Sequence, residues 1–455
     1  MGAIQAFTRS PPRLAVPRLA ASHRRPHLAR MTETDVAVIG AGLAGLGAAT
    51  ALRAAGRGAI VLEASHRIGG RAFTAYPAEL GGVWFDMGAV WLHSAEINPL
   101  VPIARAAGET LLRSDELRQE RTRIGARPAT RDELAAYDGA PDRFAAAAAA
   151  LLAPDQADPP LSAVARRIPD DPWAPTIEAW EGPVICAVDA DRFSLRDWHR
   201  NQLTGSNLVP QGGIGAFVAR HLGAGLDIRL DTPVRALRWD RPDGGVAIET
   251  DRGTITARSA IVTVSTGVLA AGAIHFDPPL PTPLRDAIAA LPMGLALKVA
   301  LRAAGPDRLD LPGHCSVDRQ VARGGEPFMV FQCWPFGRDY VQGWIGGTPA
   351  WELSRAGPAA AADFARGELR RMFGGRIDKL FPGPALVTSW DADPWIRGAY
   401  AYAVPGQADA RARLGENRTD GRLIFAGEAC HIGLAGTLAG AWISGQRAAA
   451  LAGRA

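Results

Sequence analysis

A glycine-rich turn near the start of the chain constrains the fold more than any other feature. Residues 35–39 (DVAVI) form an apolar run that is typical of a buried parallel strand, and the sequence GAGLAG follows directly at 40–45. Small residues continue to about Ala55, which predicts a helix, and a second apolar run at 59–62 ends in Glu63. These pieces predict a β–α–β unit with an acidic residue at the end of its second strand.

The glycines and the acid have the spacing that a dinucleotide requires. Gly40 allows a tight turn, Gly42 lets the backbone approach a pyrophosphate, and Gly45 lets the helix pack closely against the strand. The helix N-terminus offers unpaired N–H groups to the phosphates. Glu63 can accept hydrogen bonds from ribose hydroxyls but repels a 2′-phosphate, which disfavours NADP. The alternative is a glycine-rich turn that binds no ligand. This alternative does not account for an acidic residue, Glu63, at the end of the second strand.

Length and charge narrow the class of protein. The 455 residues exceed what one ordinary core holds, so two or more domains are expected. The net charge of +4 arises in residues 1–30, which contain six arginines and no acidic residue and leave −2 for the remainder. Because no basic patch remains, we expect no nucleic-acid partner. The uncharged segment 36–52 carries four glycines, which suit a strand and a turn rather than a membrane span, so no membrane partner is expected.

The first 30 residues are rich in arginine, alanine and proline. No apolar segment follows Arg24-Arg25, so an export signal is disfavoured. We expect either a disordered extension or a translation start at Met31, while the composition also suits a transit peptide. The four cysteines of the chain lie far apart without a C-x-x-C pair. We therefore expect a reducing, cytoplasmic location and neither a zinc ribbon nor a dithiol centre.

Five later segments carry motifs that belong together. ASHRIGGR follows the acid at 64–71, and FDMGAVWLH occupies 85–93. The segment 208–239 begins with LVPQGGIGAF, 261–281 contains TVSTGVL, and 425–441 contains FAGE and GTLAGA. In this order, over most of the chain, they resemble the flavin-containing amine oxidase superfamily.

The resemblance implies an α/β fold with two domains. The first is a Rossmann-like FAD-binding domain of the glutathione-reductase and amine-oxidase type, and the second is an inserted α+β substrate-binding domain. We assign residues 31–90, 205–275 and 390–455 to the FAD-binding domain. Residues 91–204 and 276–389 are assigned to the substrate-binding domain. The resemblance leaves the oligomeric state open.

The implied cofactor is FAD. Arg71 can contact a phosphate, and by resemblance Val234 contacts the adenine and Glu428 the ribityl–phosphate region. Ala399 stands where monoamine oxidases have the cysteine that bonds to the flavin, so noncovalent attachment is expected. The predicted cofactor-binding residues are Gly40, Gly42, Leu43, Ala44, Gly45, Glu63, Gly70, Arg71, Gly88, Ala89, Val90, Val234, Trp395, Glu428, Thr437 and Leu438.

Three side chains are expected at the reacting atoms. Lys298 is one of only two lysines in the chain and lies in an apolar run, 295–301, that predicts a strand with Lys298 on its small-residue face. The resemblance implies that this lysine holds a water against flavin N5. Tyr400 matches one wall of an aromatic substrate sandwich, and Thr437 occupies the place of the second tyrosine of monoamine oxidases. His93 matches a residue near the substrate amine of polyamine oxidases.

The implied reaction is the oxidation of a polyamine-like amine or a monoamine. A hydride equivalent passes to the flavin, the imine product hydrolyses, and O₂ is reduced to hydrogen peroxide. An L-amino-acid oxidase, a desaturase-type oxidoreductase and a non-catalytic flavin-binding protein are the alternatives. No Ser–His–Asp order or clustered ligand spacing indicates hydrolysis or a metal site. Specificity for a polyamine requires carboxylates along the substrate tunnel. The candidates, chosen by composition alone, are Glu96, Glu178, Glu181, Asp189 and Asp191.

Overall fold

The computed structural model describes most of the chain. The described residues are 30–153, 157–201, 203–242, 244–416, 418–419 and 421–452. The expectations for the N-terminal tail fall on residues 1–29, which lie outside the described residues. None of the helices in the described ranges has the length and apolar character needed to cross a bilayer.

The chain mixes single helices between strands with runs of consecutive strands, β9 to β12 (residues 227–262), and of consecutive helices, α4 to α8 (residues 131–200). The strands are β1 (Arg30–Ile39), β2 (Ala59–Leu62), β3 (Thr74–Ala75), β4 (Phe85–Asp86), β5 (Leu111–Arg113), β6 (Gln119–Ile124), β7 (Arg127–Pro128), β8 (Leu208–Pro210), β9 (Asp227–Arg229), β10 (Val234–Arg238), β11 (Val246–Thr250), β12 (Gly253–Val262), β13 (His275–Asp277), β14 (Ala296–Arg302), β15 (Cys315–Arg319), β16 (Val330–Cys333), β17 (Tyr340–Gly346), β18 (Leu386–Val387), β19 (Arg418–Thr419) and β20 (Leu423–Phe425). The helices are α1 (Leu43–Ala54), α2 (Leu100–Ala106), α3 (Ser114–Leu117), α4 (Arg131–Asp138), α5 (Ala140–Leu151), α6 (Ala163–Arg167), α7 (Ala174–Ala179), α8 (Leu195–Arg200), α9 (Ile214–His221), α10 (Thr266–Ala270), α11 (Thr282–Ala289), α12 (Thr348–Ala356), α13 (Pro358–Phe373), α14 (Arg376–Leu380), α15 (Ala410–Glu416) and α16 (Leu438–Ala452). The α/β class is confirmed.

The larger sheet is built around β1. Its strand order is β13-β10-β11-β12-β1-β2-β9, and β20 pairs with β12 and carries β19. β1 is parallel to both neighbours, with Ile39 in register with Leu62 and Val262. The carboxyl ends of these strands therefore meet at one edge, where the glycine-rich turn and Glu63 follow. The predicted β–α–β unit is confirmed.

Both faces of β1 are buried, which explains its continuous apolar sequence. Val36 and Val38 pack toward α1 and α16, whereas Ala37 and Ile39 pack toward α11 and α15. Glycine lets α1 and α16 approach closely, since a Cβ on Gly47 would lie 2.6 Å from the Trp442 carbonyl oxygen. The close contact fixes the two helix N-termini at the same edge of the sheet.

A second sheet has the order β18-β14-β17-β16-β15-β6-β7. Alternation along β14 separates its two faces: Leu297, Val299 and Leu301 join a core with α12, α13 and α14. Lys298 lies on the opposite face, as the apolar run predicted. Helices α4 to α8 pack in a separate apolar cluster, which includes Phe144 of α5.

The two sheets draw on different stretches of the chain. Strands of the larger sheet lie at 30–62, 227–277 and 418–425, and those of the second at 119–128 and 296–387. This distribution supports the two-domain division that we propose, with the first sheet in the FAD-binding domain and the second in the substrate-binding domain.

Candidate active site

A cavity of about 1090 Å³ extends from the glycine-rich turn of the larger sheet to the polar face of the second sheet. Every residue predicted to bind the cofactor or to face the reacting atoms lines this cavity, except Gly45. A Cβ on Gly45 would lie 1.9 Å from the Gly40 carbonyl oxygen, so the absent side chain serves helix packing. The other predicted residues therefore lie around one cavity, Gly45 packs behind its wall, and their assignment to a cofactor stays a prediction.

The glycine-rich turn leaves its backbone open to the cavity. Gly40 has a φ of +104°, a conformation that side chains rarely adopt. A Cβ on Gly42 would meet no atom within 4 Å. Gly42 is the N-cap of α1 and carries no side-chain cap. The first N–H groups of the helix, at Leu43 and Ala44, are thus available to an anion such as a pyrophosphate.

Glu63 is tied to this turn by hydrogen bonds. Its Oε2 accepts from the Ala41 backbone N–H at 2.6 Å, and its Oε1 accepts from the backbone N–H and hydroxyl of Ser65, both at 2.9 Å. The carboxylate is buried at the cavity wall. These bonds hold it in one orientation at the end of β2, where a ribose hydroxyl would find an acceptor.

Arg71 and Glu428 form an ion pair at the centre of the site. Arg71 Nη1 lies 2.9 Å from Glu428 Oε1, which also accepts from the Ala401 N–H at 3.0 Å. Glu428 Oε2 accepts from the Gly436 N–H at 3.1 Å. One buried carboxylate thus connects three distant segments. In the structure the Arg71 guanidinium pairs with this carboxylate and also donates to the Ala399 carbonyl oxygen at 2.5 Å, and its expected phosphate contact stays a prediction.

Lys298 reaches across from the second sheet to the larger domain. Its Nζ donates to the carbonyl oxygen of Asp86 at 2.7 Å and also to that of Gly88. The ammonium group has three N–H donors, so these contacts leave one for the cavity. Burial lowers the pKa of Lys298 to about 8, although the Asp86 carboxylate opposes this shift. The side chain is therefore fixed at the junction of the two parts of the cavity.

Tyr400 and Thr437 differ in what they offer to a ligand. Tyr400 lines the cavity and packs beside Gly436, where a Cβ would lie 3.7 Å from its ring. The Thr437 hydroxyl donates to the Leu434 carbonyl at 2.7 Å and accepts from the Gly440 N–H at 3.0 Å. Thr437 therefore caps α16 and presents no second aromatic wall.

His93 is oriented by a chain of hydrogen bonds that sequence reasoning missed. Its Nδ1 lies 2.6 Å from the Asn207 side-chain oxygen, and the Asn207 backbone N–H donates to Asp115 at 2.6 Å. An amide oxygen only accepts, so Nδ1 carries the proton and Nε2 keeps its lone pair. Burial lowers the pKa of His93. The neutral imidazole is stacked in a tilted arrangement against Trp91, whose ring centroid lies 5.7 Å away.

Only some of the carboxylates that line the cavity were among the five candidates from the sequence. Of the five candidates Glu181 alone lines the cavity, where it accepts from Trp198 Nε1 at 2.8 Å. Asp189 instead accepts from the Thr348 N–H at 3.0 Å, outside the cavity. Asp318, on β15, lines the cavity and was not predicted. The alternating sequence CSVDR was a signal that Ser316 and Asp318 share one face.

Comparisons with known proteins agree with this geometry. A family model described as flavin containing amine oxidoreductase matches residues 43–452. Probable polyamine oxidase 4 of Arabidopsis thaliana is 30% identical, over 91% of this chain and 86% of that protein. Lysine-specific histone demethylase 1 homolog 1 of Oryza sativa subsp. japonica is 30% identical, over 91% of this chain and 52% of that protein. The structure of wild-type putrescine oxidase bound to putrescine superposes with a TM-score of 0.72 at 22% identity, covering 92% of this chain and 98% of that one.

Proposed function

The chain belongs to the flavin-containing amine oxidoreductase family, and we propose that this FAD-dependent enzyme oxidises a polyamine-like amine with O₂ as the electron acceptor. The observation that carries the proposal is the continuity of the cavity. Its cradle of glycine backbone and helix N-termini opens, past Lys298, onto an aromatic compartment that contains carboxylates. A ligand in the cradle and an amine in the compartment would share one enclosed space.

The residues present fit FAD. The open backbone at Gly42 and the N-terminus of α1 suit the pyrophosphate, and Glu63 suits the ribose. When bound, FAD would supply the two-electron oxidation, taking a hydride equivalent from the carbon beside the amine nitrogen and passing the electrons to O₂, which leaves as hydrogen peroxide. Ala399 offers no thiol, so we propose noncovalent attachment.

The chain's own residues would prepare the amine. A protonated amine holds its nitrogen lone pair in an N–H bond, so it must lose a proton before oxidation. Nε2 of His93 keeps a lone pair and can accept that proton, while Asn207 holds the imidazole in place. The aromatic surroundings of Tyr400 and Trp91 also disfavour the charged form by excluding water. Lys298 would hold a water and a positive charge beside the reacting edge of the cofactor.

An L-amino-acid oxidase is the nearest alternative, and the charges of the cavity disfavour it. A carboxylate substrate needs an unpaired guanidinium. Among the arginines that line the cavity, Arg118 lies 3.3 Å from the Glu120 carboxylate and Arg411 lies 2.7 Å from the Asp197 carboxylate, while the Arg121 side chain is exposed. The compartment beyond Lys298 presents Asp318 and carboxylate neighbours instead.

A peroxide-coupled screen tests the proposed function. The purified holoprotein would be offered spermine, spermidine, putrescine, benzylamine and a set of L-amino acids. We expect hydrogen peroxide with amines and none with amino acids, together with bleaching of the flavin absorbance under anaerobic conditions. Flavin reduction by amino acids alone, or by none of the compounds, would overturn the proposal.

A further inference from the structure

Asp86, at the end of β4, is buried, and both of its carboxylate oxygens accept hydrogen bonds. Its Oδ2 accepts from the Ile214 N–H at 3.0 Å, and its Oδ1 accepts from the Thr74 hydroxyl and from the Gly215 N–H at 3.4 Å. Donors at both oxygens favour the ionised form of a carboxyl group. Asp86 therefore places a negative charge at the N-terminus of α9, where the helix dipole stabilises it.

A glycine makes room for this carboxylate. The N-cap of α9 is Gly213, which has no side chain to cap the helix. A Cβ on Gly213 would lie 3.0 Å from Asp86 Oδ1 and 2.7 Å from Thr74 Oγ1. The cap of α9 thus comes from β4, which is 128 positions away in the sequence. The hydrogen bonds to α9 anchor the end of β4, directly before Met87 and Gly88, which line the cavity.

The backbone that begins at Asp86 provides the acceptors for Lys298. The ammonium group donates to the carbonyl oxygen of Asp86 at 2.7 Å and to that of Gly88. The carbonyl oxygen between them, that of Met87, accepts from Trp390 Nε1 at 3.1 Å. Each carbonyl from 86 to 88 therefore has a side-chain donor. The position of the ammonium group depends on where the Asp86 side chain anchors this segment.

Asp86 and Lys298 also act on each other by charge. Burial lowers the pKa of Lys298 to about 8, and in the described part of the chain the Asp86 carboxylate is the one charge that acts against this shift. Burial raises the pKa of Asp86, and the charge of Lys298 acts against that shift together with the hydrogen bonds. Burial also raises the pKa of Tyr340, on β17, and the Asp86 charge adds to this shift, so the phenol stays neutral. The ring of Phe85, 5.7 Å from Nζ, adds an uncharged contact.

We propose that Asp86 is a positioning residue for Lys298, which it holds charged and in place at the junction of the two parts of the cavity. The carboxylate anchors the backbone that binds the ammonium group and supplies the opposite charge. Asp86 does not itself line the cavity, so it acts on the reaction through Lys298. This inference rests on the proposed amine oxidation and adds to it a residue that the motifs did not single out.

The composition of the chain allows a direct test, because Lys298 and Lys379 are its only lysines. Holoprotein labelled with ¹³C-lysine should show two ε-methylene signals, and the signal that is lost in Lys298→Met belongs to Lys298. In the wild type this signal should titrate with a midpoint near pH 8. In Asp86→Asn the midpoint should lie about one pH unit or more lower, because an opposite charge is removed. The signal of Lys379, an exposed residue of α14, should not differ between the two proteins.

A kinetic cycle shows whether Asp86 acts through Lys298. Asp86→Asn should lower the kcat for the fastest amine of the peroxide screen by about tenfold or more, which matches the loss expected for Lys298→Met. In the Lys298→Met background the same substitution should change kcat by less than about threefold, because the group that it positions is absent. Asp363→Asn, at an exposed residue of α13, should change neither kcat nor the Lys298 titration.

Asp86→Glu keeps a carboxylate for α9 and serves if the asparagine variant does not fold. Its longer side chain should displace the 86–88 backbone, so kcat should fall about threefold or more with Lys298 present and not in its absence. Equal losses of kcat in both backgrounds, or an unchanged Lys298 midpoint in Asp86→Asn, would overturn the positioning role. If no amine reduced the wild-type flavin, the proposed function itself would fail, and the titration would still show whether Asp86 keeps Lys298 charged.

Discussion

Gly42 and Gly45 lie three positions apart in the same turn but serve different purposes. A Cβ on Gly42 would enter open space, and its φ of −72° is allowed for any residue. A Cβ on Gly45 would collide with the Gly40 carbonyl oxygen at 1.9 Å. The first glycine therefore keeps room for a ligand, and the second keeps the helix close to the strand.

Alanine at these two positions should separate cofactor binding from stability. Gly42→Ala should fold with an apoprotein melting temperature near that of the wild type but retain much less FAD, because the methyl group occupies the pyrophosphate's place. Gly45→Ala should lower the stability of the apoprotein by about 2 kcal/mol or more, as expected for an overpacked contact. The absorbance ratio of flavin to protein and thermal melting measure the two effects. A normal FAD content in Gly42→Ala would contradict this assignment.

Lys298 should make the free energy of unfolding depend on pH. Its pKa is about 8 in the folded protein, against 10.5 for a lysine in water. The unfolded chain then binds more protons between these values, so this group makes stability rise with pH across that window. Relative to Lys298→Met, the free energy of unfolding of the wild-type apoprotein should rise by about 2 kcal/mol from pH 7 to pH 10. Denaturant unfolding at several pH values measures this difference.

The same variant should retain FAD and turn over about tenfold more slowly or worse, because a positive charge beside the reacting atoms is lost. Parallel pH curves for the wild type and Lys298→Met would show that the buried ammonium does not titrate as described. Unchanged kinetics would remove its catalytic role.

At the level of single residues, the sequence predicted what local patterns encode. The glycines, Glu63 and the two faces of the strand around Lys298 followed from spacing alone. The hydrogen-bond partners of His93 could not be predicted in this way. Asn207 is 114 positions away from His93, and Asp115 contacts the histidine only indirectly, by accepting a hydrogen bond from the Asn207 backbone. Asp318 was missed for the same reason, since Tyr137 is 181 positions distant and only the fold brings them together.

At the level of elements, α16 depends on a cap that also borders the cavity. Thr437 accepts from the Gly440 N–H and donates to the Leu434 carbonyl. The resemblance drew attention to this position because of a missing tyrosine, whereas the structure gives its hydroxyl a role in starting the helix. The N-terminus of α16 lines the cavity at Leu438, so the cap and the ligand surface are adjacent.

Thr437→Ala should destabilise the protein by about 1 kcal/mol, because it removes an N-cap oxygen from a buried helix end. Thr437→Ser is the matched control, since it keeps the hydroxyl and loses one methyl group. We expect the serine variant to lie within about 0.5 kcal/mol of the wild type in denaturant unfolding. If the two variants were equally destabilised, the methyl group rather than the cap would account for the effect.

Across the whole molecule, the cavity is closed by segments from both ends of the chain. Gly42 and Glu63 come from the first β–α–β unit, and Glu428 and Leu438 come from the last segment. The order of motifs predicted this closure, because parallel strands bring their carboxyl ends to one edge. Sequence could not predict which carboxylates reach the far compartment, since that depends on the register of β14 to β17.

If FAD is bound noncovalently, it should be removable, and when bound it should stabilise the contacts between the first β–α–β unit and the last segment of the chain. Acid precipitation should release all flavin into the supernatant, since Ala399 offers no thiol and burial raises the pKa of the Cys186 thiol in the cavity well above its usual range. Cofactor in hundredfold excess over its dissociation constant stabilises a protein by about 2.7 kcal/mol. We expect the apoprotein to melt a few degrees lower and to recover with added FAD in a concentration-dependent way. Flavin that stays with the precipitate, in the wild type but not in Cys186→Ser, would instead indicate a covalent bond to that cysteine.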